Sequence, residues 1–408
     1  MNTLTNPQWR NVRLGDIGQS LIGLTYSPSN VKRSGTLVLR SSNIQDGELA
    51  FDDNVYVDCA IPEKIRTREN DILICVRNGS RRLIGKSAIL DRRVSGQTFG
   101  AFMAVYRSDL NPFLRYFFQS DDFKRQIDEH LGATINQITN GSLNGFVVAL
   151  PSESEQQAIT ERLQDVDRLI ATLKRLISKK QAIKQGMMQE LLTGRTRLPG
   201  FSASWFSSTW GELALEISSG ATPRRGVAEY WNGEIPWVTS TELKRGPVDS
   251  IPQSITTAGL RAANLRIWPA GTFLMAITGL EAAGTRGKCG LLSVAAATNQ
   301  SCMAVAPGPD LDTEFLFYYY LHYGNDLAFK YVQGTKQQSY TAAIVKKLPI
   351  HLPSDVSEQQ AIAQVLRDAD HEIAALERCL ESARNIKQGM MQELFTGRTR
   401  LPFEGESA

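Results

Sequence analysis

Apolar residues recur along two long stretches of the chain in alternating steps of four and three. In the first they fall at Ile159, Leu163, Val166, Ile170, Leu173 and Ile177, then at Met187 and Leu191. In the second they fall at Ile362, Leu366, Ala369, Ile373, Leu376 and Leu380, then at Ala383, Met390 and Leu394. This is the spacing of heptad a and d positions, and it predicts a long helix with a narrow apolar seam in each stretch. Lys180 and Lys184 interrupt the first stripe and Lys387 the second. Ser154 with Gln157, and Ser357 with Gln360, have capping-box spacing and mark the expected helix starts. Gly194 and Gly397 follow the last periodic residues, and Pro199 and Pro402 close the segments, as expected at helix C-termini. About 39 helical residues would span roughly 58 Å. A seam this regular needs a partner, and the other copy is the obvious one. Periodicity leaves parallel and antiparallel pairing both open.

The two stretches are copies of one segment. From Ser154 to Pro199 and from Ser357 to Pro402 the register is constant, and 29 of 46 positions are identical. "IKQGMMQELLTGRTRLP" (Ile183–Pro199) returns as "IKQGMMQELFTGRTRLP" (Ile386–Pro402) with one change, Leu192 to Phe395. An offset of 203 residues is too long for a solenoid repeat and indicates a duplicated half. Residues 1–150 and 204–352 share little identity but echo in layout. "GKSAIL" at Gly85–Leu90 answers "GKCGLL" at Gly287–Leu292, and "FMAVYR" at Phe102–Arg107 answers "CMAVAP" at Cys302–Pro307. The order is variable, shared, variable, shared.

In the variable segments the apolar pattern changes to short runs with strand character. These are Thr36–Arg40, Asp71–Arg77 and Ala101–Arg107 in the first, and Ile235–Ser240, Thr272–Thr278 and Cys302–Ala306 in the second. An aromatic helix follows each set. Pro112 lies near the start of the first, which Phe113, Phe117, Phe118, Phe123 and Ile127 line; the second runs over Thr313–Val332. Aromatics at this spacing are expected in a core rather than on a base-stacking platform. Strands mostly segregated from helices make each segment α+β.

Composition adds limits. The chain has 408 residues, 42% of them apolar and 21% charged, as expected of two to three globular domains. Five scattered cysteines, Cys59, Cys75, Cys289, Cys302 and Cys379, suggest neither a disulfide framework nor a zinc site. The first residues lack a signal-peptide pattern and no run of about 18 apolar residues exists, so a cytoplasmic protein without a membrane role is expected. A net charge of +3 with a pI near 8.5 permits nucleic-acid binding without requiring it. Catalytic signatures are missing. "GSRRLIGKS" (Gly79–Ser87) has five residues between its glycines where a phosphate loop needs four. "NPQW" (Asn6–Trp9) and "NPF" (Asn111–Phe113) lack the second proline of the amino-methyltransferase signature, and the chain contains no G-x-G. His130, His322, His351 and His371 are isolated, with His371 on the second long helix. We expect no catalytic residue, no metal and no cofactor.

The loops after the strands carry the side chains that read base edges and hold phosphates. In the first segment the candidates are Arg40, Ser41 and Asn43, then Arg77, Asn78, Arg81, Arg82 and Lys86, then Thr134, Asn136 and Gln137. At matching places in the second they are Thr239, Thr241 and Lys244, then Arg286 and Lys288, then Lys336, Gln337 and Gln338. Small polar residues also cap turns, so some of these are expected to be structural.

The whole pattern resembles the specificity subunits of type I restriction–modification systems. The resemblance covers essentially the full length. It is carried by the two "SEQQAI" helix starts (Ser154–Ile159, Ser357–Ile362), the two "TGRTRLP" ends, and the G-x-T-P…IPW opening of the second variable segment: Gly220, Thr222, Pro223 and Ile235–Trp237. The first segment departs from that opening, since Gly23-Leu24-Thr25-Tyr26 lacks the proline and Thr36–Arg40 lacks the tryptophan. The resemblance implies two α/β target-recognition domains (1–150, 204–352), each reading half of an interrupted DNA site. It implies that the shared segments (151–203, 353–408) form a long antiparallel two-helix coiled coil with pseudo-two-fold internal repeat, spacing the halves. It also implies partners: double-stranded DNA, two copies of a modification methyltransferase subunit, and restriction (endonuclease/translocase) subunits through the complex, acting in phage defence. Docking of the methyltransferase would then fall on Met187, Met188, Arg195 and Arg197, and on Met390, Met391, Arg398 and Arg400. Two other readings remain at this point, a coiled-coil adaptor that binds only proteins and a nuclease or methyltransferase with degenerate motifs.

Overall fold

The computed structural model describes residues 9–131, 136–332, 338–397 and 399–400. The chain divides into two compact units, one of Met1–Lys174 with Arg378–Ala408 and one of Arg175–Glu377. The sequence borders at 150, 203 and 352 follow variability; the packing borders fall inside the long helices. Each variable segment therefore folds with one half of each helix.

In the first unit a four-stranded sheet runs in the order Gln19–Ile22, Met103–Arg107, Ile72–Cys75, Ser87–Ile89. All four residues of Ile72–Cys75 are buried. Alternate side chains serve two cores. Ile72, Ile74 and Val76 pack with Tyr106, Phe117 and Phe123, while Leu73 and Cys75 pack with Val38, Leu39 and Phe99. Burial on both faces explains why the run is continuously apolar rather than alternating. A second four-stranded sheet runs in the order Thr98–Phe99, Thr36–Leu39, Tyr56–Val57, Val31–Lys32. Arg10–Arg13 pairs with Val147–Leu150 and leads the chain into the first long helix.

The second unit repeats this plan with a five-stranded sheet, Ala214–Ser219, Cys302–Pro307, Phe273–Ala276, Cys289–Leu292, Gly246–Val248. Phe273, Met275 and Ile277 face Phe315 and Tyr320; Leu274 and Ala276 face Val238 and Trp268. The pairing register refines one sequence echo. Met103 lies opposite Cys75 and Cys302 lies opposite Ala276. The structural match of Met103 is thus Cys302, one residue away from the match suggested by spelling. Because strand side chains alternate, that one step decides which core each residue enters.

The aromatic residues fill the cores as expected. Phe113, Phe117, Phe118, Phe123 and Ile127 are all buried. The first aromatic helix is nevertheless two, Asn111–Phe117 and Asp121–His130, because the Ser120 hydroxyl accepts the Phe123 amide and starts a new helix. The second unit has one continuous helix, Thr313–Tyr331.

The long helices span Glu153–Leu191 and Val356–Phe395. Their caps lie two residues earlier than the capping-box spacing suggested. The Ser152 hydroxyl accepts the Glu155 amide, and the Asp355 carboxylate accepts the Ser357 amide. The strands end just before, at Leu150 and Pro353, so the first polar side chains past the turn do the capping. Gly194 and Gly397 adopt the left-handed conformation at φ 69° and 67°, which glycine enters without a Cβ penalty.

The two helices pack together and antiparallel within each unit. In the first, Asp167 pairs with Lys387 and Glu155 with Arg400; in the second, Asp370 pairs with Lys184 and Glu358 with Arg197. Each pair of the second unit is the first shifted by 203 residues with the helices exchanged. Of the seam positions, Ile159, Leu163, Ile170, Ile177, Ile362, Leu366 and Ile373 are buried; Val166, Leu173, Ala369, Leu376 and Leu380 are half-buried. Ile159 and Leu163 enter the core of the first unit, and Ile362 and Leu366 that of the second. The helix ends are therefore part of the units' cores as well as of the seam.

The lysines that break the apolar stripes have a reason. Lys184 meets the Asp370 carboxylate, which also accepts the Tyr318 hydroxyl at 2.9 Å. Lys387 meets Asp167 at 2.8 Å, which accepts the Tyr116 hydroxyl at 2.8 Å. Lys180 reaches Glu372 at 2.6 Å. Such pairs fix register because any slip leaves a half-buried charge alone. Lys184→Met should therefore cost roughly 1–3 kcal/mol, and Lys184→Met with Asp370→Asn should cost less than the sum of the single changes. A urea-denaturation cycle of the four proteins checks this; a coupling near zero would remove the register role.

Candidate nucleic-acid interface

In the first unit the candidate loops converge although they are far apart in sequence. Lys86 Nζ donates to the Ser41 carbonyl at 3.3 Å, and Asn78 Nδ2 to the Ser41 hydroxyl at 3.4 Å. Arg77 forms a backbone bridge with Gln137, and the Ile138 amide donates to the Val76 carbonyl. The Arg77 guanidinium lies 5.0 Å from the ring centre of Phe102. Phe102 was not anticipated from the sequence, since one aromatic next to a strand gives no signal of exposure.

The second unit brings the matching loops together by matching bonds. Thr278 bridges Ser339, and the Tyr340 amide donates to the Ile277 carbonyl. The Leu280 amide donates to the Gln338 carbonyl, and Arg245 Nη2 to the Arg286 carbonyl at 2.8 Å. Gly85 and Gly287 turn at φ 84° and 69° just ahead of Lys86 and Lys288. A glycine here lets the chain reverse and present the lysine.

The candidates divide by what their side chains touch. Asn43 is fully buried; it accepts the Arg40 amide and donates to the Ala50 carbonyl, so it holds its own loop together. Arg40 is paired with Asp53 at 2.8 Å. Arg81 ties its loop to the aromatic helix through Asp128 and the Leu131 carbonyl, both at 3.3 Å. Arg286 is held by Asn325, by the Leu280 and Glu281 carbonyls, and over the Phe329 ring. The Thr239 hydroxyl accepts the Thr241 amide. Arg77, Arg82, Asn136, Gln137, Thr241 and Lys244 are exposed, while Ser41, Asn78, Lys86, Lys288 and Gln338 are half-buried. Thr134, Lys336 and Gln337 lie outside the described residues.

Among the docking candidates, Met188 and Met391 are buried in the cores, with Met187 and Met390 packed beside them. Arg197 and Arg400 are engaged by Glu358 and Glu155. Arg195 is exposed, and Arg398 lies outside the described residues.

The opening of the second variable segment has a physical basis. The Trp237 indole N–H donates to the Ala221 carbonyl at 3.1 Å, and the Ala221 amide donates to the Thr298 carbonyl. A Cβ on Gly220 would stand 1.7 Å from the Thr298 carbonyl oxygen. Arg225 lies over both Trp231 and Trp237, at 4.4 and 5.2 Å. The first unit keeps the backbone arrangement without the proline or tryptophan. The Leu24 amide donates to the Phe99 carbonyl, and a Cβ on Gly23 would stand 2.2 Å from the Gly100 carbonyl oxygen.

Reactive chemistry is muted. Burial pushes the Cys75, Cys289 and Cys302 thiols up, away from the thiolate that a nucleophile needs. Burial also holds the His322 imidazole below its usual value. Among the described residues no group of three or more His, Cys, Asp or Glu side chains is placed to hold a metal ion. Among them, too, no helix is long and apolar enough to cross a membrane.

The profile of the type I restriction modification DNA specificity domain matches the chain twice, at residues 6–184 and 204–382. The chain belongs to this family. Each matched span holds one variable segment and most of one long helix. Similar proteins include the type I restriction enzyme StySPI specificity subunit of Salmonella potsdam, 27% identical over 54% of this chain and 51% of that protein. The EcoKI specificity subunit of Escherichia coli K12 is 30% identical over 36% and 33%. The putative MjaX specificity subunit of Methanocaldococcus jannaschii is 23% identical over 96% and 94%. In the StySPI and EcoKI matches the chain spans about half or a third of the relative's length. Two solved structures share the fold. One chain, from work on complex assembly and conformational transition of the type I R-M system, has a TM-score of 0.59 at 18% identity, covering 97% of this chain and 99% of that one. The other, the S subunit of M. genitalium, has a TM-score of 0.58 at 14% identity, with 97% of each chain covered.

In this specificity-family chain Gly220→Ala should force the opening loop off Thr298 and cost roughly 1–3 kcal/mol, because the obstruction is backbone. Gly226, where nothing lies within 4 Å of an added Cβ, is the control. Thermal unfolding of both variants checks the difference, and equal stability would mean that the loop moves freely.

Proposed function

We propose that this chain is the non-catalytic DNA-recognition subunit of a type I restriction–modification complex in the cytoplasm. Each recognition domain reads one half of a bipartite, interrupted site on double-stranded DNA. The antiparallel helices set the distance between the halves. Two copies of a modification methyltransferase subunit dock on the shared segments, and restriction subunits join through the complex. Methylation and cleavage belong to the other chains.

The observation that carries this reading is one scaffold used twice with unlike loops. Matching backbone bonds tie the loop after the central strand to a second loop in each unit, Val76 with Ile138 and Ile277 with Tyr340, yet the side chains that the loops display differ. Arg77, Arg82 and Gln137 stand in one unit, and Thr241, Lys244 and Lys288 in the other. The helices, by contrast, repeat two of their ion pairs residue for residue. Variable readers on constant supports suit recognition of two unlike half-sites by one complex with identical partners. An adaptor that binds only proteins has no need of basic, exposed loops at the same two places.

The spacing role is tested in the complex reconstituted with its methyltransferase subunits. Seven residues inserted into both helices, one heptad after Ile177 and one after Leu380, add about 10 Å of helix to each. Mapping of methylated sites should show the same half-sites with a longer spacer. An altered half-site with an unchanged spacer would overturn the ruler.

The contact role is tested by salt dependence. Arg82→Ala and Lys244→Ala should each weaken binding to all duplexes alike and reduce the slope of log affinity against log salt by about one. Asn43→Ala should instead lower the melting temperature, because it empties a buried hydrogen-bonding position. Unchanged slopes for both basic substitutions would place the DNA on another face.

A further inference from the structure

Both units have the same position at the edge of the loop cluster, and they fill it with opposite chemistry. The Val76 amide donates to the Phe102 carbonyl, and the Ile277 amide donates to the Ser301 carbonyl. Val76 and Ile277 each follow the last residue of a central strand, Cys75 and Ala276. Phe102 and Ser301 are therefore equivalent. A second pair lies beside them. Ile22 is opposite Ala104, and Ser219 is opposite Met303. Ala104 and Met303 in turn face Ile74 and Met275, matching residues of the two central strands. Ile22 and Ser219 are equivalent too. The first unit carries isoleucine and phenylalanine where the second carries two serines.

The apolar pair is out in solvent. Phe102 is 58% exposed and Ile22 62%. They are diagonal neighbours across adjoining strands, within reach of an aromatic side chain. Single exposed apolar residues are ordinary on a protein surface; these two are brought to neighbouring places by the strand register, and Arg77 stands beside them. Arg77 lies over the Phe102 ring, and Gln137 bridges Arg77. The Phe102 backbone is held in place, because its carbonyl accepts both the Val76 and the Arg77 amides at 3.1 Å.

We infer that Ile22 and Phe102 form an apolar contact for a thymine methyl group in the major groove, and that Ser219 and Ser301 are the corresponding reading positions of the second unit. The inference rests on the proposed reading of DNA by each unit. The thymine methyl is the apolar feature of base edges in the major groove. Two side chains suit a base edge, whereas a stable protein interface needs about 800 Å² from each partner. The guanidinium on the ring is charge-matched to DNA and unlike the apolar centre of a protein interface.

The test uses the reconstituted complex, with the half-site of the first unit assigned by exchanging residues 1–150. Each thymine of that half-site, on either strand, is replaced in turn by uracil, which lacks the methyl. One replacement should weaken binding by the intact complex roughly three- to ten-fold. The complex with Ile22→Ser and Phe102→Ser should bind the thymine and uracil duplexes equally, with an unchanged melting temperature, since both side chains are exposed. Indifference of the intact complex to every uracil would overturn the inference, as would discrimination retained by the substituted complex or a half-site without an A·T pair. Loss of assembly with the methyltransferase subunits would assign the patch to a protein interface and equally overturn it. Failure of the underlying reading looks different, because every base change in that half-site would then be harmless.

Discussion

The structure depends on a reciprocal pairing between the two copies of one helical segment. Glu155 of the first copy is bound by Arg400 of the second, and Glu358 of the second by Arg197 of the first. Both glutamates are buried, with side-chain exposures of 2% and 0%. An isolated carboxylate at such a position is costly, so each requires its arginine. The arginines follow the left-handed glycines Gly194 and Gly397, which turn the chain after the helix ends. The glycine turn and the buried carboxylate thus belong to one device, and the chain contains it twice. Because every contact draws one residue from each copy, the logic is that of a symmetric dimer interface. A change in one copy touches only one contact, but a common partner surface would require both copies to agree.

That constraint explains why the helices were legible in the sequence and their detail was not. Period, length and terminal glycines are local properties, and they survive in any tertiary setting. The meaning of Lys184 and Lys387 is not local. Each looked like a break in the stripe, and each is a seam residue answered by an aspartate and a tyrosine from elsewhere. The helix starts were misplaced by two residues for a similar reason. Ser154 and Ser357 fit a capping box, but the strand leading in decides where the first turn begins, and that puts Ser152 and Asp355 at the caps. In the first aromatic segment Ser120 could have been an ordinary helix residue; the Phe123 amide it accepts makes it a boundary.

The loops were legible as places and less so as residues. Matching positions in the two halves pointed to loops that the fold brings together, because the strands and turns before them repeat. Composition could not separate a reader from a support. Asn43, Arg81 and Arg286 have the chemistry of DNA-contacting side chains, and each is held by backbone groups of its own unit. Phe102 and Ile22 show the converse, since neither stood out in the sequence. Apolar residues beside strands are usually buried, and only the register shows that these two lie beyond the cover of either core.

A frame that must carry changing loops needs points that cannot move. Gly23 and Gly220 are such points, since each brings its backbone against a carbonyl that leaves no room for a side chain. The residues after them differ widely, with Leu24 and Tyr26 in one unit and Ala221 and Pro223 in the other, yet the Leu24 and Ala221 amides make the same bond. Trp237 adds its own hydrogen bond in the second unit, and the first unit keeps the loop without it. The tryptophan therefore reinforces an arrangement that the glycine contact already fixes. Side chains on such loops can change sign, size or polarity while the backbone beneath them stays in place, and that separation lets one fold hold two unlike sets of loops in a single chain.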